Sequence, residues 1–140
     1  MPTLEDAISL AAEAHRGRKD KAGAAYILHP LRVMLRMRTK DERIVAVLHD
    51  VIEDTRYTLE DLRKAGYSQK ILRSLNYLTR LEGEEYEEFI RRVKHNPLAR
   101  KVKIADIEDN LNLGRIRKPK KHDFMRIEKY RRALSELMRG

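Results

Sequence analysis

Apolar residues recur at helical spacing along almost the whole chain. Leu4, Ala7, Ile8, Ala11 and Ala14 repeat at three- and four-residue intervals behind Thr3. Asp6, three residues after Thr3, completes a capping-box pattern, so a first helix is predicted from about Leu4 to His15. Gly17 to Leu28 holds two glycines and no sustained period and reads as a loop. Pro30 suits the first position of a short helix over LRVMLRM. Thr39 and Glu42 form a second capping-box pattern and open a helix that runs through AVLHDVIEDT. Thr58 to Gly66 reads as a short capped helix, and Ser68 starts another whose inner face is Ile71, Leu72, Leu75 and Leu78. Tyr86, Phe89, Ile90 and Val93 mark a helix closed by Asn96-Pro97. Leu98 to Leu113 reads as a further helix stopped by Gly114, RKPKKHD as an exposed basic link, and Phe124 to Met138 as the last helix. No segment alternates as a strand does, and no repeat or linker divides the chain. The expectation is an all-α single domain over residues 1–140, a bundle of about seven or eight helices around one core.

One stretch breaks the amphipathic rule. Ile44, Val45, Val47, Leu48, Val51 and Ile52 suit a buried helix, yet His49, Asp50, Glu53 and Asp54 lie among them. Burying ionisable groups without partners costs several kcal/mol each. On a helix His49 and Asp50 lie about 100° apart, with Glu53 and Asp54 each one turn further on. Either these four make a solvated face, or a hard or borderline divalent cation neutralises them.

Composition narrows the partners. A length of 140 residues suits one domain, with 41% hydrophobic and 38% charged residues and only 6 Gly and 4 Pro. No apolar run approaches the roughly 20 residues of a membrane span. The N-terminus lacks a basic-then-apolar signal pattern, and a cytoplasmic location is expected. With no Cys, disulfides and thiolate metal sites are excluded. The net charge of +9 fits either a heavily solvated surface or attraction to a polyanion, whether nucleic acid or a small phosphorylated substrate.

Two other segments join the acidic stretch. In AYILHP, His29 precedes a helix start among apolar neighbours, and in VKIADIEDN, Asp106 sits between Ile104 and Ile107. Taken singly, His29 reads equally as an N-cap or core hydrogen-bonding group, and Asp106 as a helix acid or ion-pair partner. Converging in a bundle, His29, His49, Asp50 and Asp106 would offer two nitrogens and two carboxylates and leave positions open for water, as a catalytic metal requires.

These motifs, AHRGRKDKAGAAYILHPLRV, LHDVIEDT, LTR followed by EGEEY, and VKIADIEDN, taken in that order, resemble the hydrolase domain of the RelA/SpoT alarmone enzymes and the small stand-alone alarmone hydrolases. That domain is an HD-type, metal-dependent phosphohydrolase. The resemblance runs from about Ala14 to Asn110 and extends to the last helix; no synthetase domain is expected in these 140 residues. It implies that His29, His49, Asp50 and Asp106 bind a single metal, usually manganese, and that Glu53 and Asp54 act on the attacking water. The implied reaction is hydrolysis of a 3′-pyrophosphate, ppGpp giving GDP and pyrophosphate. Lys21 and Asn110 fall where the family has a loop lysine and a nucleotide-contacting Asn. Each also has a plain reading, as a solvated loop charge and a helix-face hydrogen-bonding group.

The chain departs from the family where guanine is recognised. Asp20 stands in the place of a guanine-stacking Arg, with Arg18 and Lys19 nearby as substitutes. Leu113 stands where a Thr is usual, and the span from His29 to His49 is several residues shorter. The competing enzyme reading is therefore an HD phosphohydrolase acting on another nucleotide or phosphoester. A basic nucleic-acid module is the reading from a different class. No recognition-helix or stacking-platform motif supports it, so nucleic acid is not an expected partner. An oligomer is left open. His15 is expected to orient the loop through a hydrogen bond, and His95 and His122 to be solvated. Tyr26, Tyr57 and Tyr86 are candidates for pocket lining or for core and rim packing.

Overall fold

The computed structural model describes residues 1–112 and 120–139. Among these residues it has nine helices and no strand: α1 (Leu4–Ala14), α2 (Leu28–Leu35), α3 (Lys40–Leu48), α4 (Val51–Asp54), α5 (Leu59–Lys64), α6 (Gln69–Tyr77), α7 (Tyr86–Val93), α8 (Pro97–Asn110) and α9 (Lys121–Met138). The all-α expectation holds.

Capping fixes most of the starts. Thr3, Thr39 and Thr58 each accept a backbone N–H through the hydroxyl, while Asp6, Glu42 and Asp61 reach back to the cap N–H. Asn96 caps α8 with Pro97 behind it, so the Asn-Pro pair opens a helix as well as closing the one before. Gly66, at φ +98°, ends α5 in a conformation other residues adopt only with strain.

Several boundaries differ from the sequence reading. Helix α2 starts at Leu28, which puts His29 and Pro30 within its first turn. There a proline loses no helical hydrogen bond. The helix expected through AVLHDVIEDT divides in two, giving one element more than expected. The His49 N–H bonds back to Ala46 at i−3, and Asp50 (φ −99°, ψ −4°) leaves regular helix before α4 resumes. In the expected basic link, Lys120 is the cap of α9, and Lys121, His122 and Asp123 form its first turn, with Asp123 buried. Leu113, Gly114 and residues 117–119 of that link lie outside the described residues. Lys19 and Ala25 make an isolated antiparallel bridge in the α1–α2 loop.

Helix α3 is the axis of the core. Ile44, Val45, Ala46, Val47 and Leu48 are fully buried, against α1, α2, α6 and α8. Helices α2, α3 and α8 pack pairwise on one another. Each carries a part of the expected ligand set, so the hydrophobic packing that holds the three together also sets the distances between its polar groups.

Candidate active site

At the junction of α2, α3 and α8 the expected ligands meet. The Nε2 atom of His29 lies 2.8 Å from Asp106 Oδ1 and 3.9 Å from Asp50 Oδ2. His49 Nε2 lies 3.1 Å from Asp50 Oδ2 and 3.4 Å from Asp106 Oδ1. Donor atoms of His29, His49 and Asp50 all fall within 4.8 Å of one another. His29, His49 and Asp106 are buried, and Asp50 is partly so.

The outer nitrogens fix how the imidazoles present themselves. His49 Nδ1 donates to the Ala46 carbonyl at 2.6 Å. His29 Nδ1 lies 2.6 Å from Asp109 Oδ2, and Arg32 forks onto the same carboxylate at 2.8 and 3.1 Å. With Nδ1 protonated, each Nε2 turns a lone pair toward the acids, the usual arrangement of a metal-bound histidine and its carboxylate or carbonyl support. The Nε2 of His49 is buried with no hydrogen-bond partner, despite its closeness to both acids.

Positive charge must balance this cluster. Burial opposes ionisation throughout, yet the neighbouring acids raise the pKa of both imidazoles, and the His49 imidazole beside Asp50 holds that carboxyl down to about 2. Asp106 is held well below the carboxylate range by Lys103 and His49 against its own burial. Protons on the imidazoles meet the need; so does one divalent cation, and the donor set fits such an ion.

Around the cluster lies a pocket of ≈ 290 Å³, walled by Tyr26, Glu53, Asp54, Arg80, Tyr86, Lys103, Asn110, Lys129 and Tyr130 among others. Glu53 and Asp54 stand at its rim. Partial burial raises both carboxyl pKa values, with help from nearby acids. A second cavity of ≈ 320 Å³ shares Tyr26, Asn110 and Tyr130 with the first and brings Lys21 and Asn110 to one wall. The Asn110 amide donates to Asp106 Oδ1 at 3.2 Å, so its helix-face hydrogen bond is realised as well.

The loop behind that cavity explains Asp20. Its Oδ1 accepts the N–H groups of Ala22 and Ala24, at 2.9 and 3.0 Å, and so closes the turn around Gly23. Arg18 lies over the Tyr26 ring at 4.0 Å, with one nitrogen 2.8 Å from His15 Nδ1 and another 3.8 Å from Asp54. His15 orients the loop as expected, and burial holds its pKa down to about 4. His95 and His122 are exposed. Tyr57 packs beside the core, whereas Tyr26 and Tyr86 face the pocket.

Lys103 and Asp109 were not read from the sequence, and Tyr26 was read only as a candidate for pocket lining or packing. Lys103 Nζ is 2.9 Å from Asp106 Oδ2, and the Tyr26 hydroxyl donates to Asp50 Oδ2. Asp109 braces His29. Helical spacing from Asp106 could have found Lys103 and Asp109, three residues to either side on one face of α8.

The all-α fold brings a helix-borne His, a His-Asp pair and a distant Asp to one point, the arrangement that the resemblance to HD-type phosphohydrolases implied. More particularly, the chain is similar to alarmone enzymes. It is 28% identical over 120 residues to a protein of Aquifex aeolicus, and 32% over 127 residues to one of Haemophilus influenzae. Both are named guanosine-3′,5′-bis(diphosphate) 3′-pyrophosphohydrolase, and the matches cover 77% and 80% of this chain. A Streptomyces coelicolor protein named GTP pyrophosphokinase is 29% identical over 133 residues, 86% of this chain. The chain spans only 17%, 19% and 16% of those three relatives, respectively. A solved structure described as a metazoan orthologue of SpoT that hydrolyses ppGpp superposes with a TM-score of 0.79 at 22% identity. It covers 100% of this chain and 88% of its own, and that likeness establishes the fold. No family model matches the chain.

Proposed function

We propose that this chain is a divalent-metal-dependent phosphohydrolase, with manganese as the metal and ppGpp as the substrate, yielding GDP and pyrophosphate. The observation that carries the reading is the convergence of two imidazole Nε2 atoms and two carboxylates at one point, with the buried His49 Nε2 left without a partner. The similarity to proteins named for this reaction supports the substrate.

His29, His49, Asp50 and Asp106 would hold the ion, which when bound supplies a Lewis acid that acidifies water and polarises a phosphoryl oxygen. Glu53 accepts the proton of the attacking water, and partial burial, by raising its pKa, makes its carboxylate a stronger base. Asp54, held from outside by Arg18, orients that water. Lys103 keeps Asp106 ionised, and Arg80 in the pocket and Lys21 in the adjoining cavity draw the phosphates toward the site. Asn110 and the Asp20-capped loop line the space for the nucleoside. With its carboxylate closing that turn, Asp20 shapes the loop, and Arg18 and Arg126 are the arginines lining the same cavity.

A second reading, hydrolysis of another nucleotide or phosphoester, is favoured by that same replacement of a stacking Arg by Asp20. The two separate in a manganese-supplemented assay on ppGpp, with GTP, GDP and a dinucleoside polyphosphate in parallel. Pyrophosphate release from ppGpp alone is expected. Turnover of another compound without ppGpp would keep the metal site and refute the alarmone assignment.

A further inference from the structure

The phosphohydrolase mechanism leaves two residues of the pocket wall, Tyr86 and Lys129, without a task. Tyr86 opens α7, and its ring faces Phe89 at 6.2 Å and Tyr130 at 6.4 Å. Its hydroxyl oxygen is buried and has no hydrogen-bond partner. A phenol normally finds a partner when buried, because an unmade hydrogen bond costs the full desolvation of the group. This one belongs to a residue that lines the pocket with Asp106, Lys103 and Glu53.

Cations surround the same ring. Lys129 Nζ lies 4.1 Å from its centroid and the Arg80 guanidinium 5.8 Å from it. Lys129 makes no ion pair among the described residues and lines both the active-site pocket and a neighbouring groove of ≈ 400 Å³ between α7 and α9. Arg80 bonds through Nε to the Glu84 carbonyl and through its own backbone N–H to Glu53, which ties this wall to the rim acid. An unsatisfied donor on a ring that two cations approach suits an anion that carries several acceptor oxygens.

Resting on the phosphohydrolase reading, we infer that Tyr86 and Lys129 form the seat of the departing diphosphate, the phenol donating to a phosphoryl oxygen and the ammonium neutralising its charge. Tyr86 is thus a catalytic residue by contact with the leaving group. The nucleoside side of the substrate lies in the adjoining cavity lined by Lys21 and Asn110. Burial pushes the phenol up to about 12, so it remains a donor at every pH where the enzyme would work.

The test uses the manganese-saturated protein and titrates manganese pyrophosphate into it by calorimetry, alongside GDP. Tyr86→Phe removes only the hydroxyl and keeps the ring beneath Lys129; Lys129→Met keeps most of the stem and removes the charge. Each is expected to weaken pyrophosphate binding by ~10–100-fold, the worth of a hydrogen bond to a charged group. GDP and manganese affinity should stay within about twofold of wild type, which a merely structural role would not preserve selectively. Pyrophosphate affinity unchanged in both variants, or manganese and GDP affinity falling in parallel with it, overturns the assignment. Because pyrophosphate is the probe, the result stands apart from substrate identity. Wild-type protein that binds pyrophosphate through Tyr86 but leaves ppGpp intact would refute the alarmone reading and uphold the seat.

Discussion

Asp109 is not one of the four proposed ligands, yet replacing it tests how that ligand set is built. Its Oδ2 faces His29 Nδ1 at 2.6 Å, while Oδ1 and Oδ2 take the Arg32 fork at 2.8 and 3.1 Å. His29 and Arg32 are both donors toward it, so between them they call for two acceptor oxygens. Asp109→Asn supplies one oxygen and one NH2, and either amide orientation sets a donor against a donor. With the oxygen toward Arg32, His29 loses its brace; with it toward His29, a guanidinium that is only one-third exposed faces the NH2. One charge-assisted hydrogen bond is lost in each case, about 1.5–3 kcal/mol. Outer braces of metal-bound histidines are worth ~10–100-fold in metal affinity. Manganese titration by calorimetry should find that loss, with the α-helical circular dichroism retained. An Asp109→Asn variant that binds manganese as tightly as wild type would refute the claim that His29 Nε2 is aimed by its outer nitrogen.

Three other outcomes follow from single contacts. Glu53→Gln should keep manganese affinity and lower turnover by ~10²–10⁴-fold, measured as pyrophosphate release under single-turnover conditions. Asp20→Ala strands two loop N–H groups and should raise KM by ~3–10-fold while leaving kcat within about twofold, since the loop lines the nucleoside cavity. Glu84 is held down to about 2 by twin 2.9 Å contacts to Arg92. Its folded pKa lies below the unfolded ~4.3, so its contribution is fully present above ~pH 4.3 and is lost as pH falls toward 2. Glu84→Gln should therefore destabilise by roughly 1–2 kcal/mol at pH 6 in urea melts, with a gap that closes in acid.

Capping and periodicity were legible because they are local. The caps at Thr3, Thr39 and Thr58 and the apolar faces of α6 and α7 fall where the sequence puts them. The break at His49 and Asp50 was not legible, because both flanks have good helical spacing. What bends the chain there is long-range: Asp50 is drawn to His29 and Tyr26, residues of another helix and of the loop before it. The four ligand candidates could be read as acids and imidazoles out of place in apolar runs. Tyr86 could be read only as one of three tyrosines suited to line a pocket or to pack, and Lys129 not at all, since a lysine on a basic helix is ordinary until tertiary packing sets it beside the ring. Asp20 was visible only as a substitution; its engagement with Ala22 and Ala24 depends on the turn it closes.

The most direct test is to titrate manganese into metal-free protein while following binding heat and ppGpp hydrolysis together. One ion per chain is predicted, with pyrophosphate release rising on the same curve and both signals absent in Asp50→Ala. Hydrolysis that persists under chelation, or a filled site that leaves ppGpp uncleaved, would contradict the account.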